Sequence, residues 1–308
     1  MDRAMIRSDS DANSIAHRTV EVPVRGGALT VGIWGSDDPD APTVVLIHGV
    51  TASHLAWTHT AAHLAGVRLV APDLRGRGRS NGVDGPSGMA AHADDLAAVV
   101  AHLGVRPGIV VGHSMGAFVA VALAHRHPDL VTRLVLVDGG LPLATPAGLS
   151  AEELVAAILG PTAERLRMRF AGPEEYLDFW RPHPAFREVW DETLEAYFAY
   201  DLTPDGDAFQ PATSYATTVE DTVDLNGGST TVPDALASLR HPTSFVTVPR
   251  GLQDQVPGLY PPTHLEALLA AHPQIVHERW DGFNHYTVVM SDAGGRRMAE
   301  RLRVELAR

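Results

Sequence analysis

Short apolar runs bounded by turn residues alternate along most of the chain with longer, alanine-rich stretches of helical spacing. Thr43–Ile47, Arg68–Ala71, Ile109–Gly112 and Arg133–Val137 are rich in Val, Leu and Ile and do not alternate apolar with polar. That pattern predicts strands buried on both faces of a parallel sheet. Between them, Ser53–Ala65, Met89–Leu103 and Met115–His127 carry apolar residues at helical intervals, as helices packed on a sheet do. Before them, Thr19–Val24 and Leu29–Trp34 flank Arg25-Gly26-Gly27 and predict an antiparallel opening pair. Repeated strand–helix alternation predicts an α/β fold with a doubly wound, mostly parallel sheet.

From about Leu141 to Ser238 the strand-like runs stop. Acidic and aromatic helical stretches replace them: a capping box at Ser150 and Glu153, then Pro173–Trp180 and Glu188–Tyr200, interrupted by the turn-rich Thr203-Pro204-Asp205-Gly206. The α/β pattern then resumes with Ser244–Val248, a helix over Pro262–Ala271, Ile275–Trp280 and a last helix near Gly295–Leu306. The expected organisation is therefore a flexible arm over residues 1–17, a core over 18–140 and 239–308, and a helical cap inserted over 141–238. Six aromatic residues of that insertion, Phe179, Trp180, Trp190, Tyr197, Phe198 and Tyr200, suit a pocket wall or the cap's own core equally well.

Composition narrows the function classes. Twenty-four basic and 37 acidic residues give a formal charge of −13, which disfavours a polyanionic partner such as nucleic acid. No apolar run approaches a membrane span, and residues 1–17 lack the apolar segment of a signal peptide. Cysteine is absent, which removes disulfides, thiolate metal sites and a cysteine nucleophile together; a cytoplasmic location follows by default. His59 and His63 have the spacing of a metal pair, but no third ligand or acidic partner stands near them in sequence, so they read as a polar helix face near the surface. Nothing in the chain specifies an oligomeric state.

Candidate chemistry lies where strands end. Gly112-His113-Ser114-Met115-Gly116 follows one predicted strand and opens a helix. A serine there sits on a sharp turn, and small residues two before and two after permit close approach. Its hydroxyl then stands beside a helix N-terminus, where backbone amides favour developing negative charge. His48-Gly49 ends Thr43–Ile47, so amides of Val50 and Met115 could face one oxyanion. His48 is read as structural. Asn284-His285-Tyr286 follows the last predicted strand, a place from which His285 could take the proton of Ser114.

Taken in order, His48-Gly49, the stretch Asp73-Leu74-Arg75-Gly76-Arg77-Gly78-Arg79-Ser80, the Gly-His-Ser-Met-Gly turn and the late His285 resemble the α/β-hydrolase family. The resemblance covers roughly Val20–Gly140 and Pro242–Leu306. It implies an eight-stranded sheet, a serine nucleophile at Ser114, His285 as base, and hydrolysis of a carboxylic ester or lactone through an acyl-enzyme without metal or organic cofactor. The substrate would be a small, apolar molecule, neither nucleic acid nor membrane. C–C bond hydrolysis and cofactor-free perhydrolysis share the same triad, and a non-catalytic ligand-binding protein could use the same scaffold. In the family, the arginines of the Asp73–Ser80 stretch are structural. The acid partner is expected at Asp138, after the sixth strand; Asp254, after the seventh, is the alternative.

Overall fold

The computed structural model describes residues 16–308 except 37, 39, 40, 107 and 147. The expected arm over residues 1–17 therefore lies outside the described residues except at Ala16 and His17, and His17 already begins a strand. β1 (His17–Val24), β2 (Gly27–Trp34), β3 (Thr43–Ile47), β4 (Arg68–Pro72), β5 (Gly108–His113) and β6 (Val131–Val137) alternate with α1 (Thr58–Ala62), α2 (Met89–His102) and α3 (Met115–Arg126). α1 is shorter than its predicted stretch because a 3-10 turn over His54–Trp57 precedes it.

Between β6 and the next strand of the main sheet, the chain makes α4 (Ala151–Leu159), α5 (Pro161–Arg165), α6 (Pro173–Trp180) and α7 (Glu192–Tyr200). It continues through β7 (Leu202–Asp205), β8 (Ala208–Pro211), α8 (Tyr215–Val223) and α9 (Thr231–Ala237). β9 (Thr243–Thr247), α10 (Pro262–Ala271), β10 (Ile275–Arg279), α11 (Thr287–Met290) and α12 (Asp292–Leu306) complete the chain.

The main sheet has eight strands in the order β1-β2-β4-β3-β5-β6-β9-β10. β1–β2 and β2–β4 pair antiparallel and all other neighbours pair parallel. Because side chains alternate across a strand, each central strand supplies both faces. Val45, Ile47, Leu134 and Leu136 join a core with α2 and α3, while Val44, Leu46, Val135 and Val137 join one with α1 and α12. This is why the runs lack polar alternation. The second core continues into the inserted region through Tyr176, Trp180 and Phe198. α9 instead packs into the first core, with Val232, Ala235 and Leu236 in the cluster that holds α3.

One feature of the insertion departs from the expectation that strands stop there. Thr203–Gly206 is part of a hairpin, β7–β8, whose strands pair from Leu202↔Pro211 to Asp205↔Ala208. Phe170 and Phe209 exchange backbone hydrogen bonds at 2.9 and 2.8 Å and extend the ribbon. The capping box is present: Glu153 N–H donates to Ser150 Oγ and Ser150 N–H to Glu153 Oε2.

Candidate active site

The parallel strands β5, β6 and β9 end at one edge of the sheet, and three polar side chains border one cavity there. Ser114 caps α3 at φ 55°, ψ −124°, a backbone conformation that L-residues rarely adopt and that marks a strained strand–helix turn. Two glycines make the turn possible. A Cβ on Gly116 would lie 2.2 Å from the carbonyl oxygen of Ile47, and one on Gly139 would lie 2.1 Å from that of Ser114. The amide of Ser114 donates to Val137 O at 2.9 Å, which ties the turn to β6.

Asp138 follows β6 directly. Its own amide donates to Val246 O at 2.7 Å, and its fully buried carboxylate lies 2.6 Å from Nδ1 of His285. A carboxylate can only accept from that nitrogen, so the His285 proton sits on Nδ1 and its Nε2 is left as the basic atom. The backbone of His285 is held on both sides: its amide donates to Arg250 O at 3.0 Å, and its carbonyl accepts from Nε2 of His113 at 2.7 Å. Burial pushes the His113 imidazole well below the usual histidine range, so it stays neutral.

Asp254 does not reach His285. It accepts from Asn284 Nδ2 at 2.9 Å and pairs with Arg250. Between the two aspartates weighed from sequence, the fold places Asp138 against the histidine and Asp254 one residue removed from it.

His48 is fully buried, and its ring bonds outside this trio. Its Nδ1–H donates to Gly49 O at 2.7 Å and its Nε2 accepts the amide of Leu74 at 2.9 Å. Both bonds require the neutral ring, and burial holds its pKa down at about 4. The two atoms of the Gly49–Val50 peptide point opposite ways, so a carbonyl turned toward His48 turns the Val50 amide away from it.

Gly49, Val50, Ser114, Met115, Asp138 and His285 all border one cavity. A Cβ on Gly49 would come within 3.6 Å of Ser114 Oγ, which is how closely this loop passes. The remaining wall is mostly aliphatic: Leu143, Ile158, Leu159, Leu225, Leu252 and Leu259, with Phe118, Tyr286 and Met290. Asp138 is the one formally charged side chain among the lining residues. The space open to the centres of water-sized molecules is about 50 Å³.

The insertion's aromatics largely do something else. Tyr197 borders the cavity. Trp180 and Phe198 stack 4.4 Å apart in the packed interior, Trp190 stacks on Phe198, Phe179 lies against Trp180, and Tyr200 donates to Asp73 at 2.6 Å. Wall formers missing from the sequence reading include Leu143 after β6, Leu225 in the helical turn after α8, and Leu252 and Leu259 in the connection from β9 to α10, none marked by a local pattern.

The arginines of the Asp73–Ser80 stretch are structural, as the resemblance implies. Arg75 forks onto Asp95 with two 2.8 Å bonds, Arg77 pairs with Asp221, and Arg79 lies over the Tyr200 ring. His59 and His63 each have an acidic partner after all, Asp191 at 3.3 Å and Asp292 at 2.7 Å; these are remote in sequence. His59 is buried rather than on a surface face. No group of three or more potential metal ligands occurs among the described residues. No helix among them is long and apolar enough to cross a membrane.

The eight-stranded sheet, with a serine at the turn from β5 into α3, is the architecture of the alpha/beta hydrolase fold. The family model described as alpha/beta hydrolase fold matches residues 42–170. Lipase LipV of Mycobacterium tuberculosis is 42% identical over 122 residues, which are 39% of this chain and 45% of that protein. The bifunctional esterase/perhydrolase DCH of Acinetobacter calcoaceticus is 38% identical over 127 residues, again 39% and 45%. The chain thus spans less than half the length of these curated relatives. Among solved structures, E-2-(acetamidomethylene)succinate hydrolase superposes with a TM-score of 0.75 at 20% identity, covering 95% of this chain and 100% of that one.

Proposed function

We propose that this chain is a serine hydrolase that cleaves small, uncharged, apolar carboxylic esters or lactones. The observation that carries the reading is the buried 2.6 Å contact of His285 Nδ1 with Asp138, bordering the same cavity as the strained Ser114. In this mechanism Ser114 Oγ attacks the ester carbonyl while Nε2 of His285 takes its proton, and Asp138 stabilises the imidazolium that forms. The tetrahedral oxyanion rests on the amides of Val50 and Met115. His285 returns the proton to the leaving alcohol, and an acyl-enzyme on Ser114 remains. Water, activated by the same nitrogen, releases the acid. Likeness to a lipase and to an esterase/perhydrolase supports this chemistry.

The aliphatic wall supports an uncharged acyl or alcohol group, since a charge placed there would be desolvated without a partner. We assign the region between β6 and α9 the role of a cap that limits what enters. The test is a panel of p-nitrophenyl and lactone substrates of graded length, with a serine-directed phosphonate as label. Turnover, with the label's mass on the peptide holding Ser114 and loss of both in Ser114→Ala, is the expected result. Label on another peptide, or near-normal turnover by the variant, overturns it. A second reading, cofactor-free perhydrolysis, draws on the likeness to DCH; peracid formed from acetate and hydrogen peroxide would be its signature.

A further inference from the structure

Arg77 is a wholly buried guanidinium at the junction of three parts of the molecule. Its Nε donates to the carbonyl of Val50 at 2.8 Å, its Nη1 to the carbonyl of Arg75 at 3.0 Å and to Asp221, and its Nη2 lies 3.8 Å from the sulfur of Met115. Val50 and Met115 are the two residues whose amides were assigned to the oxyanion. Asp221 lies on α8, in the inserted region, and is equally buried. Its carboxylate also accepts from the Gly88 amide at 2.6 Å and from His92 Nε2 at 3.0 Å. The next residue, Thr222, and Leu225 beyond it border the cavity.

The placement of Val50 follows from two side chains. His48 holds the peptide plane before it, through Gly49 O, and Arg77 holds the plane after it, through Val50 O. With both planes held, the two soft dihedrals of Val50 are fixed and its amide cannot swing. Arg77 can do this only while its own charge is satisfied. A buried guanidinium that loses its carboxylate must turn toward another acceptor or water, and would then release Val50 O.

We infer that Arg77 is a positioning residue for the oxyanion loop and that Asp221 is the anchor through which α8 controls it. The oxyanion donors are therefore aligned only when the inserted region is seated on the core. The catalytic part of this inference rests on the proposed serine-hydrolase reading; the tether itself does not.

The test separates the two. Arg77→Lys keeps the charge but lacks the planar fork that serves Val50 and Asp221 together. Asp221→Asn keeps the shape and removes the charge. Arg77→Met with Asp221→Leu removes both charges at once, so no unpaired ion is left to unfold the chain. Hydrogen exchange by mass spectrometry reads the tether with no need of activity. The peptide spanning His48–Leu55 is expected to exchange faster in all three, with the peptide of β3 unchanged. Unaltered exchange there overturns the inference, whatever the substrate.

For activity, kcat on a short p-nitrophenyl ester should fall about 10- to 100-fold with KM within about threefold, as expected for misaligned rather than missing donors. Inhibition by an alkylboronic acid, whose serine adduct places an oxygen in the same hole, should weaken by a similar factor. A changed KM with unchanged kcat, or boronate affinity that stays put while kcat falls, overturns the positioning role. Phosphonate labelling of Ser114 in the wild type checks the underlying reading on its own.

Discussion

Asp138 and His285 stand 147 positions apart in the chain, and their side chains meet at 2.6 Å in a buried contact. The meeting depends on the sheet: Asp138 directly follows β6, and the loop carrying His285 is bonded to the exit of β9, the strand beside it. Asp138→Asn should therefore cost about 10⁴ in kcat by favouring the wrong histidine tautomer, with thermal stability nearly unchanged. Asp254→Asn, which touches Asn284 and not the histidine, should keep at least a tenth of wild-type kcat. Steady-state kinetics on the two purified variants decides this, and the reverse order would move the acid to Asp254.

Close packing under Ser114 leads to a second expectation. A methyl group at residue 116 would meet backbone, 2.2 Å from Ile47 O and 2.6 Å from His48 O, with no flexible side chain to give way. Gly116→Ala should lower stability by at least about 2 kcal/mol, in the upper part of the range for overpacking. It should also push α3 from β3 and lower kcat. Urea denaturation compared with Gly82→Ala, where a Cβ meets nothing within 4 Å, supplies the control.

Substrate size should follow the aliphatic wall and not the aromatic interior. Leu225→Ala or Ile158→Ala enlarges the cavity directly and should shift the preferred acyl chain by one to several carbons, read as kcat/KM across a p-nitrophenyl series. Trp180→Ala should leave that ranking in place and cost about 3–5 kcal/mol of stability, since the ring is buried against Phe198 and Phe186.

Acid should loosen the fold through His48. Its folded pKa is about 4, held down by burial, against an ordinary value of about 6.5 in the unfolded chain. Between these values the unfolded state binds the extra proton, so the stability is intact above the ordinary value and is lost as pH falls through that window. Lowering pH from 7 to 5 should remove about 2 kcal/mol on this account. His48→Gln should flatten that part of the profile measured by urea denaturation, and an unchanged slope would count against the assignment.

Much of the frame was legible because it rests on local rules. β3, α6 and α10 begin and end where the apolar runs and Pro residues place them. The β7–β8 hairpin was not, because Pro204 and Gly206 read as loop punctuation, and a two-stranded ribbon can carry a proline that a central strand cannot. Ser114 and His285 were legible as a turn type and a chain position. Asp138 was the expected acid because it directly follows a strand next to the one that leads to Ser114, and Asp254 was the harder one to place because it lies on a longer loop. What separates them is how far the loop after β9 travels before it turns, which depends on contacts with Arg250 and Asn284 remote from any motif. The pocket wall was the least legible part, because four of its leucines come from three separate connections that share nothing but their destination.

β6 and β9 are neighbours, paired from Leu134↔Thr243 to Val137↔Val246. The chain therefore departs from the sheet and re-enters it at adjacent rungs, whatever it builds in between. The cost of closing such an excursion grows only slowly with its length, so the segment is interchangeable in principle, like a tool head on a fixed handle. Besides the shared apolar packing, the handle sets an electrostatic condition. A replacement taken from another protein, or reached by mutation, must again bring a carboxylate to where Asp221 stands. Without it, the transplanted segment would leave a stranded guanidinium beneath the cavity floor. Sequence drift in this segment should accordingly be freer at the cavity wall than at that acidic position.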